Sequence, residues 1–183
     1  MKIMPKHACL GIVFITACIT QGATMAQGQV EPVKSLSHAA VTAQKLLDEV
    51  GKAQFTSPDF RPGLVRHVVM FRFNQQTTAV ERKKVTEHFL ALATLSRRPD
   101  GRSVVVSIET GAQNSGENAD LGLEQGYLVT FNSEGDRNYY VGQPLVKDPA
   151  FFDAAHEKFK QFAGPFLAEA VVFDFSVTSK KPA

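Results

Sequence analysis

Residues Val65 to Phe73 alternate so regularly that they constrain most of what this chain can become. The run V-R-H-V-V-M-F-R-F puts Val65, His67, Val69, Phe71 and Phe73 on one side and Arg66, Val68, Met70 and Arg72 on the other. A period of two with β-branched and aromatic residues is the mark of a strand. The first side is apolar apart from His67. The second is half charged and half apolar, which suits a face buried only at its centre. A matching run, V-V-F-D-F-S-V, lies at Val171–Val177.

The elements between those two runs follow from spacing and punctuation. Asn74–Thr78 is a polar turn. Ala79–Arg97 reads as an amphipathic helix with Val80, Val85, Phe89, Leu92 and Leu95 near one face. Arg98-Pro99-Asp100-Gly101 is a turn, and Ser103–Thr110 a strand. Gly111–Gln125 is a Gly- and Asn-containing connection without the spacing or basic residue of a phosphate loop. Gly126–Phe131 is a third strand. Ser133, with Asp136 three residues on, resembles a helix-capping box. Gly142 and Pro144 stop that helix, and Pro149 starts another that runs to Ala163 and presents Phe151, Phe152, Ala155, Phe159 and Phe162. Gly164-Pro165 ends it. The order β-α-β-β-α-β over about a hundred residues is the split βαβ, ferredoxin-like arrangement, an α+β fold with a four-stranded antiparallel sheet.

The flanks differ from this core. Residues 1–26 read as an export signal: Lys2 and Lys6 form a basic start, Ala8–Thr20 is mostly apolar, and Thr24-Met25-Ala26 fits a small-x-small cleavage site before Gln27. The apolar run is short for a membrane span of about 20 residues. A second route stays open. Ile15-Thr16-Ala17-Cys18 resembles a loose bacterial lipobox, which would anchor the mature chain by a lipid on Cys18. The whole chain carries 20 Lys+Arg and 18 Asp+Glu, and its two surplus lysines both lie in the first 26 residues. The remainder is formally neutral, so it offers no electrostatic reason to expect nucleic acid. Both cysteines, Cys9 and Cys18, fall in the same segment. A chain starting at Gln27 has no thiol for a disulfide, a metal or a nucleophile. The expected location is the periplasm or the exterior, with no membrane span once the signal is removed.

Residues 27–63 form an N-terminal helix and linker. Leu36, Ala40, Ala43, Leu47 and Val50 fall on one modest stripe of a helix over Val33–Lys52, read as a tether or edge helix. Ser57-Pro58 and Arg61-Pro62-Gly63 mark the boundary of a domain at 64–178, and 179–183 is a polar tail.

The opening R-H-V-V-M-F-R-F, the strand E-Q-G-Y-L-V-T-F, the D-P-A-F-F turn and the closing V-V-F-D-F together resemble the Dabb family, the stress-responsive A/B barrel domain. Members of that family pair sheet to sheet as homodimers and close an α+β barrel. The resemblance implies the same partner here, a second copy. Two helices cover only one side of a four-stranded sheet, and Val68 and Met70, with Val172 and Asp174 assigned by alternation, make up the expected dimer face.

His67 is the candidate for chemistry. Partial burial would keep its imidazole neutral and suited to a general base; a structural histidine bonded to backbone is the alternative. Plant polyketide cyclases of this fold use a histidine at this strand position with a second from an H-P-x-H turn. Here the turn reads Asp148-Pro149-Ala150-Phe151, so one of the two is present, and Tyr127, Tyr139 or Tyr140 would have to serve as the acid. His88 and His156, beside charged neighbours, are read as exposed. Glu109, Glu169 and Asp174 are possible acids, with Asp174 read as architectural. No two histidines have metal-ligand spacing, so no metal and no cofactor is expected.

Three functions remain open on the residues. One is an exported barrel holding a small apolar or aromatic ligand lined by Phe71, Phe73, Phe89, Phe152, Phe159 and Tyr127. Another is a cofactor-independent enzyme, cyclase- or monooxygenase-like, with His67 as base. The last is a purely structural dimer.

Overall fold

The structure, a computed structural model, describes residues 35–181. The segment expected to be an export signal, with both cysteines, lies outside these residues. In chain order the elements are α1 (His38–Phe55), β1 (Pro62–Phe73), α2 (Ala79–Leu95), β2 (Ser107–Ala112), β3 (Gln125–Ser133), α3 (Glu134–Val141), α4 (Ala154–Ala163) and β4 (Leu167–Ser176). The strands form one antiparallel sheet in the order β2-β3-β1-β4. This is the ferredoxin-like α+β arrangement expected from the sequence. The sheet is open, with β2 and β4 at its edges. None of the helices among the described residues is long and apolar enough to cross a membrane.

The helices cover the face that carries Val65, His67, Val69, Phe71 and Phe73, all of them buried. Those side chains meet Val85, Phe89 and Leu92 of α2, Tyr139 and Tyr140 of α3 and Phe159 and Ala163 of α4 in one apolar core. Burying a side chain of this size contributes about 1.5–3 kcal/mol, so the alternation of β1 settles which face is covered.

Local chemistry sets the helix ends. Thr78 accepts from the Glu81 backbone N–H while the Glu81 carboxylate accepts from the Thr78 N–H, a full capping box at the start of α2. At α3 only half of the expected box forms. Ser133 Oγ accepts from the Asp136 N–H at 2.9 Å, but the Asp136 carboxylate turns to Arg98 at 2.7 Å. The helix expected from Pro149 onward is in two parts. Pro149–Phe151 makes a single 3-10 turn, and Asp153 then caps α4 by accepting from the Ala155 N–H.

β2 begins at Ser107, four residues later than its composition suggests. Val104 and Val105 are both buried although adjacent, which a pleated strand cannot arrange on one face. The Val104 N–H donates to the Ser96 carbonyl instead, tying this stretch to the end of α2.

The N-terminal helix docks on the domain. Gly51, at φ +75°, breaks α1 near its end. Phe55, Phe60 and Val146 then form a second cluster with Leu46, Leu47, Val50, Leu145 and Phe151. Leu36 lies outside the buried stripe and is exposed. Gly135 at the start of α3 permits this docking, because a Cβ there would lie 1.7 Å from the Ser57 carbonyl oxygen.

Candidate functional site

The register of β1 against β4 places His67 directly opposite Asp174. Their side chains meet on the helix side of the sheet, with His67 Nδ1 2.7 Å from Asp174 Oδ1. The other carboxylate oxygen, Oδ2, accepts from Arg137 Nη1 of α3 at 2.5 Å. His67 is buried, whereas Asp174 and Arg137 each keep about a fifth of their side-chain surface. Burial alone would raise the Asp174 pKa. The bonds and charge of His67 and Arg137 outweigh it and hold the carboxyl below its ordinary range. An ionised Asp174 makes Nδ1 of His67 the donor and leaves Nε2 as the nitrogen able to take a proton.

This geometry corrects the expected dimer face. Val172 pairs with Val69 and Asp174 with His67, so both belong to the helix side. The residues of β4 beside Val68 and Met70 are Phe173 and Val171. Slipping a strand by one residue moves every side chain to the other face, and the sequence alone did not provide the register.

A second group of polar residues lies deeper in the same core. The rings of His67 and Tyr140 are 5.8 Å apart, edge to face, and Tyr140 stacks on His156 at 3.9 Å. His156 was expected to be exposed, yet it is buried and donates from Nδ1 to the Tyr140 carbonyl at 2.7 Å. Of its charged neighbours on α4, which buries His156, Phe159 and Ala163, only Lys158 is exposed, while Glu157 and Lys160 are half-buried as an ion pair. Burial, helped by the nearby Lys160 and His67 charges, pushes the His156 imidazole down to about 3, so it is neutral. Burial and the Asp153 carboxylate push the Tyr140 phenol far up, which disfavours its ionised form. Burial likewise raises Asp153, against the pull of the Ser96 hydroxyl and the Ala155 and His156 backbone. Ser96 Oγ and Asp153 Oδ2 come near without reaching ordinary hydrogen-bond geometry.

The remaining candidates are dispersed. Tyr127 stacks on Phe89 at 4.0 Å and shares a 2.9 Å hydrogen bond with Thr86, opposite Val69 rather than His67. Phe71, Phe89, Phe159 and Tyr127 pack ring on ring, filling the space between sheet and helices. Phe152 presses against Gly142, whose Cβ would lie 2.6 Å from the Phe152 Cβ. Phe73 lines an open cleft of about 450 Å³ together with Arg82, Thr86, Glu87, Glu124 and Gln125. The Asp148–Phe151 turn is held by α1: Lys52 pairs with Asp148 and lies over the Phe151 ring at 5.1 Å. Of the acids, Glu109 is exposed and Glu169 pairs with Arg72 at 2.8 Å. His88 is exposed and stacks on Phe162. Among the described residues no three His, Cys, Asp or Glu side chains gather as a metal site.

The other side of the sheet is apolar at its centre. Register aligns Leu128, Val68 and Phe173 in one row and Met70 and Val171 in the next, with Phe175 beside Arg66. Phe173 is 63% exposed and Phe175 44%.

No curated protein matches the chain. Among solved structures, an Arabidopsis thaliana protein, At3g17210, overlays with a TM-score of 0.52 at 20% identity, covering 64% of this chain and 99% of the other. A hydroxynitrile lyase from Passiflora edulis overlays at 0.48 with 20% identity over 66% of this chain and 99% of its own. A Dabb-family protein with a ferredoxin-like fold from Mesorhizobium loti overlays at 0.45 with 18% identity, covering 64% and 99%. At such identities the likeness concerns the fold alone. Residues 65–177, more than half of the sequence, match the family described as the Stress responsive A/B Barrel Domain, and the chain therefore belongs to the Dabb family.

Proposed function

We propose that this protein works as an exported homodimer whose two open sheets pack face to face and close an α+β barrel. The observation that carries this reading is the apolar centre of the open face, formed by Val68, Met70, Leu128, Val171, Phe173 and Phe175. A contiguous patch of this kind is unfavourable in water and marks an interaction site. Its rim is polar: Arg66 bonds Thr130 Oγ1, and Arg72 pairs with Glu169. An apolar centre with a polar rim is the ordinary anatomy of an interface, and about 800 Å² per partner would suffice for a stable one. Export rests on the basic, apolar and small-residue pattern of residues 1–26, with cleavage before Gln27. Phe173→Glu would place a charge at the centre of the barrel seam. Sedimentation should then show a folded monomer where the parent is a dimer; a variant that still dimerises rejects the reading.

A second reading is favoured by the array of His67, Asp174 and Arg137. A buried ion array is seldom the most stabilising choice for a core, and an imidazole oriented through Nδ1 by a carboxylate is set up to accept a proton at Nε2. In this reading the dimer is a cofactor-independent enzyme that uses His67 as general base. The packed rings of Phe71, Phe89 and Phe159 fill the space between sheet and helices, and the cleft beside Phe73 lies six residues along β1 from His67, so it is not where a small apolar or aromatic substrate would meet the imidazole. His67→Ala should abolish turnover of such a substrate and leave the dimer intact. An unaltered rate removes the role.

A further inference from the structure

The segment that precedes the Dabb domain is bonded, step by step, to its buried histidine. The Phe55 carbonyl, at the end of α1, accepts from Asn138 Nδ2 at 2.8 Å. Asn138 Oδ1 accepts from Arg137 Nε at 2.9 Å. Arg137 Nη1 donates to Asp174 Oδ2 at 2.5 Å, and Asp174 Oδ1 meets His67 Nδ1 at 2.7 Å. Asn138 is buried, and both ends of its amide are used in this chain.

A parallel line ties the same two parts together. The Arg61 and Phe60 carbonyls accept from the Glu134 and Gly135 N–H groups. The Arg61 guanidinium pairs with the Glu134 carboxylate, which also accepts from Ser176 Oγ on β4. The matched family spans residues 65–177, so Phe55, Phe60 and Arg61 all lie outside it. The close approach is written into the chain at Gly135, where any side chain would collide with the Ser57 carbonyl.

We infer that residues 38–61 are a positioning element for the His67–Asp174 pair, acting through Asn138 and Arg137. Arg137 has four bonds to rotate. With its Nε held by Asn138 it presents Nη1 to Asp174 in a single orientation, and the carboxylate in turn fixes the imidazole. Releasing the segment frees the Asn138 amide, then Arg137, and then the ring. This goes beyond the proposed function and holds whether or not His67 turns over a substrate.

The probe is the Nδ1 proton of His67, observed by NMR in histidine-labelled protein and assigned with His67→Gln. Its exchange with water reports opening of the Asp174 bond. The rate is compared with that of the Val129 amide, fully buried on the neighbouring strand, so that a uniform loss of stability cancels. Asn138→Ala cuts the relay at its middle. Gly135→Ala pushes the segment off α3 without touching the four linked side chains. Thr78→Ala, at the cap of α2, serves as a control for general destabilisation. Each of the first two should raise the ratio of His67 to Val129 exchange by on the order of tenfold, and the control should leave it unchanged. A rise in Asn138→Ala alone would confine positioning to α3 and overturn the part assigned to the N-terminal segment. An unchanged ratio in both overturns the inference entirely.

Discussion

Replacing His156 by Gln should make the fold less sensitive to acid. The imidazole is buried against Tyr140 and held neutral, with its titration pushed down to about 3. In the unfolded chain a histidine titrates near about 6.5. Between those values the unfolded state binds a proton that the folded state refuses, so stability rises with pH and is lost as the pH falls below about 6.5. By about pH 5 the loss is roughly 1.5 pH units at about 1.4 kcal/mol each, or about 2 kcal/mol. That figure needs only a folded value below about 4. Glutamine has no such term, and its amide can still donate to the Tyr140 carbonyl. Near neutrality the variant gives up the ring stack and should be less stable by about 1–2 kcal/mol. Going to about pH 5 should erase that gap. In thermal melts this is a relative shift of about 4–8 °C for a chain of this size. All other titrating groups are common to both proteins and cancel. A gap that stays constant from neutral to acid pH would mean that His156 protonates freely in the folded state, and the buried reading would be wrong.

Other perturbations reach the rest of the site and its frame. Asp174→Asn removes the charge shared by His67 and Arg137 and should lower stability by about 2–4 kcal/mol in thermal melts near neutrality. Because the Asp174 carboxyl is held below its ordinary range, its contribution is present above about pH 4 and is lost as the pH falls through the folded value; the gap to the parent should narrow only there. Thr78→Ala removes the side-chain half of the α2 capping box and leaves the Glu81 carboxylate on the backbone N–H of residue 78; it should cost about 1 kcal/mol by urea titration, with the midpoint falling and the slope unchanged.

Much of the fold could be read along the chain, and the reasons are particular. β1 announced itself because its alternation is long and its covered side is apolar except for His67. β2 starts later than its composition suggests because Val104 and Val105 break the period: the Val104 N–H bonds the Ser96 carbonyl, eight residues back, and both side chains join the core. His67 was visible as a polar residue on an apolar face. Its partner Asp174 was visible too, but on the wrong face. Alternation puts Phe173 and Phe175 on the face opposite Asp174 but does not say which face the helices cover, and this aromatic pair, which alone would read as core, lies on the open side. For His156 the spacing to Phe159 and Ala163 was the available signal, and the charges at Glu157, Lys158 and Lys160 obscured it. Arg137 and Asn138 carry no mark in the sequence. Their roles come from α3 crossing between β4 and the end of α1, which only the assembled chain defines.

A soluble paramagnetic agent reports whether the open side of the sheet is covered by a second copy. The methyl signals of Val68, Met70 and Val171 lie at the centre of that side. In the assembled protein they should be untouched by the agent, and dilution into the dissociated range should let it bleach them. Methyl signals bleached at every concentration, in a particle that tumbles as one chain, would contradict the account.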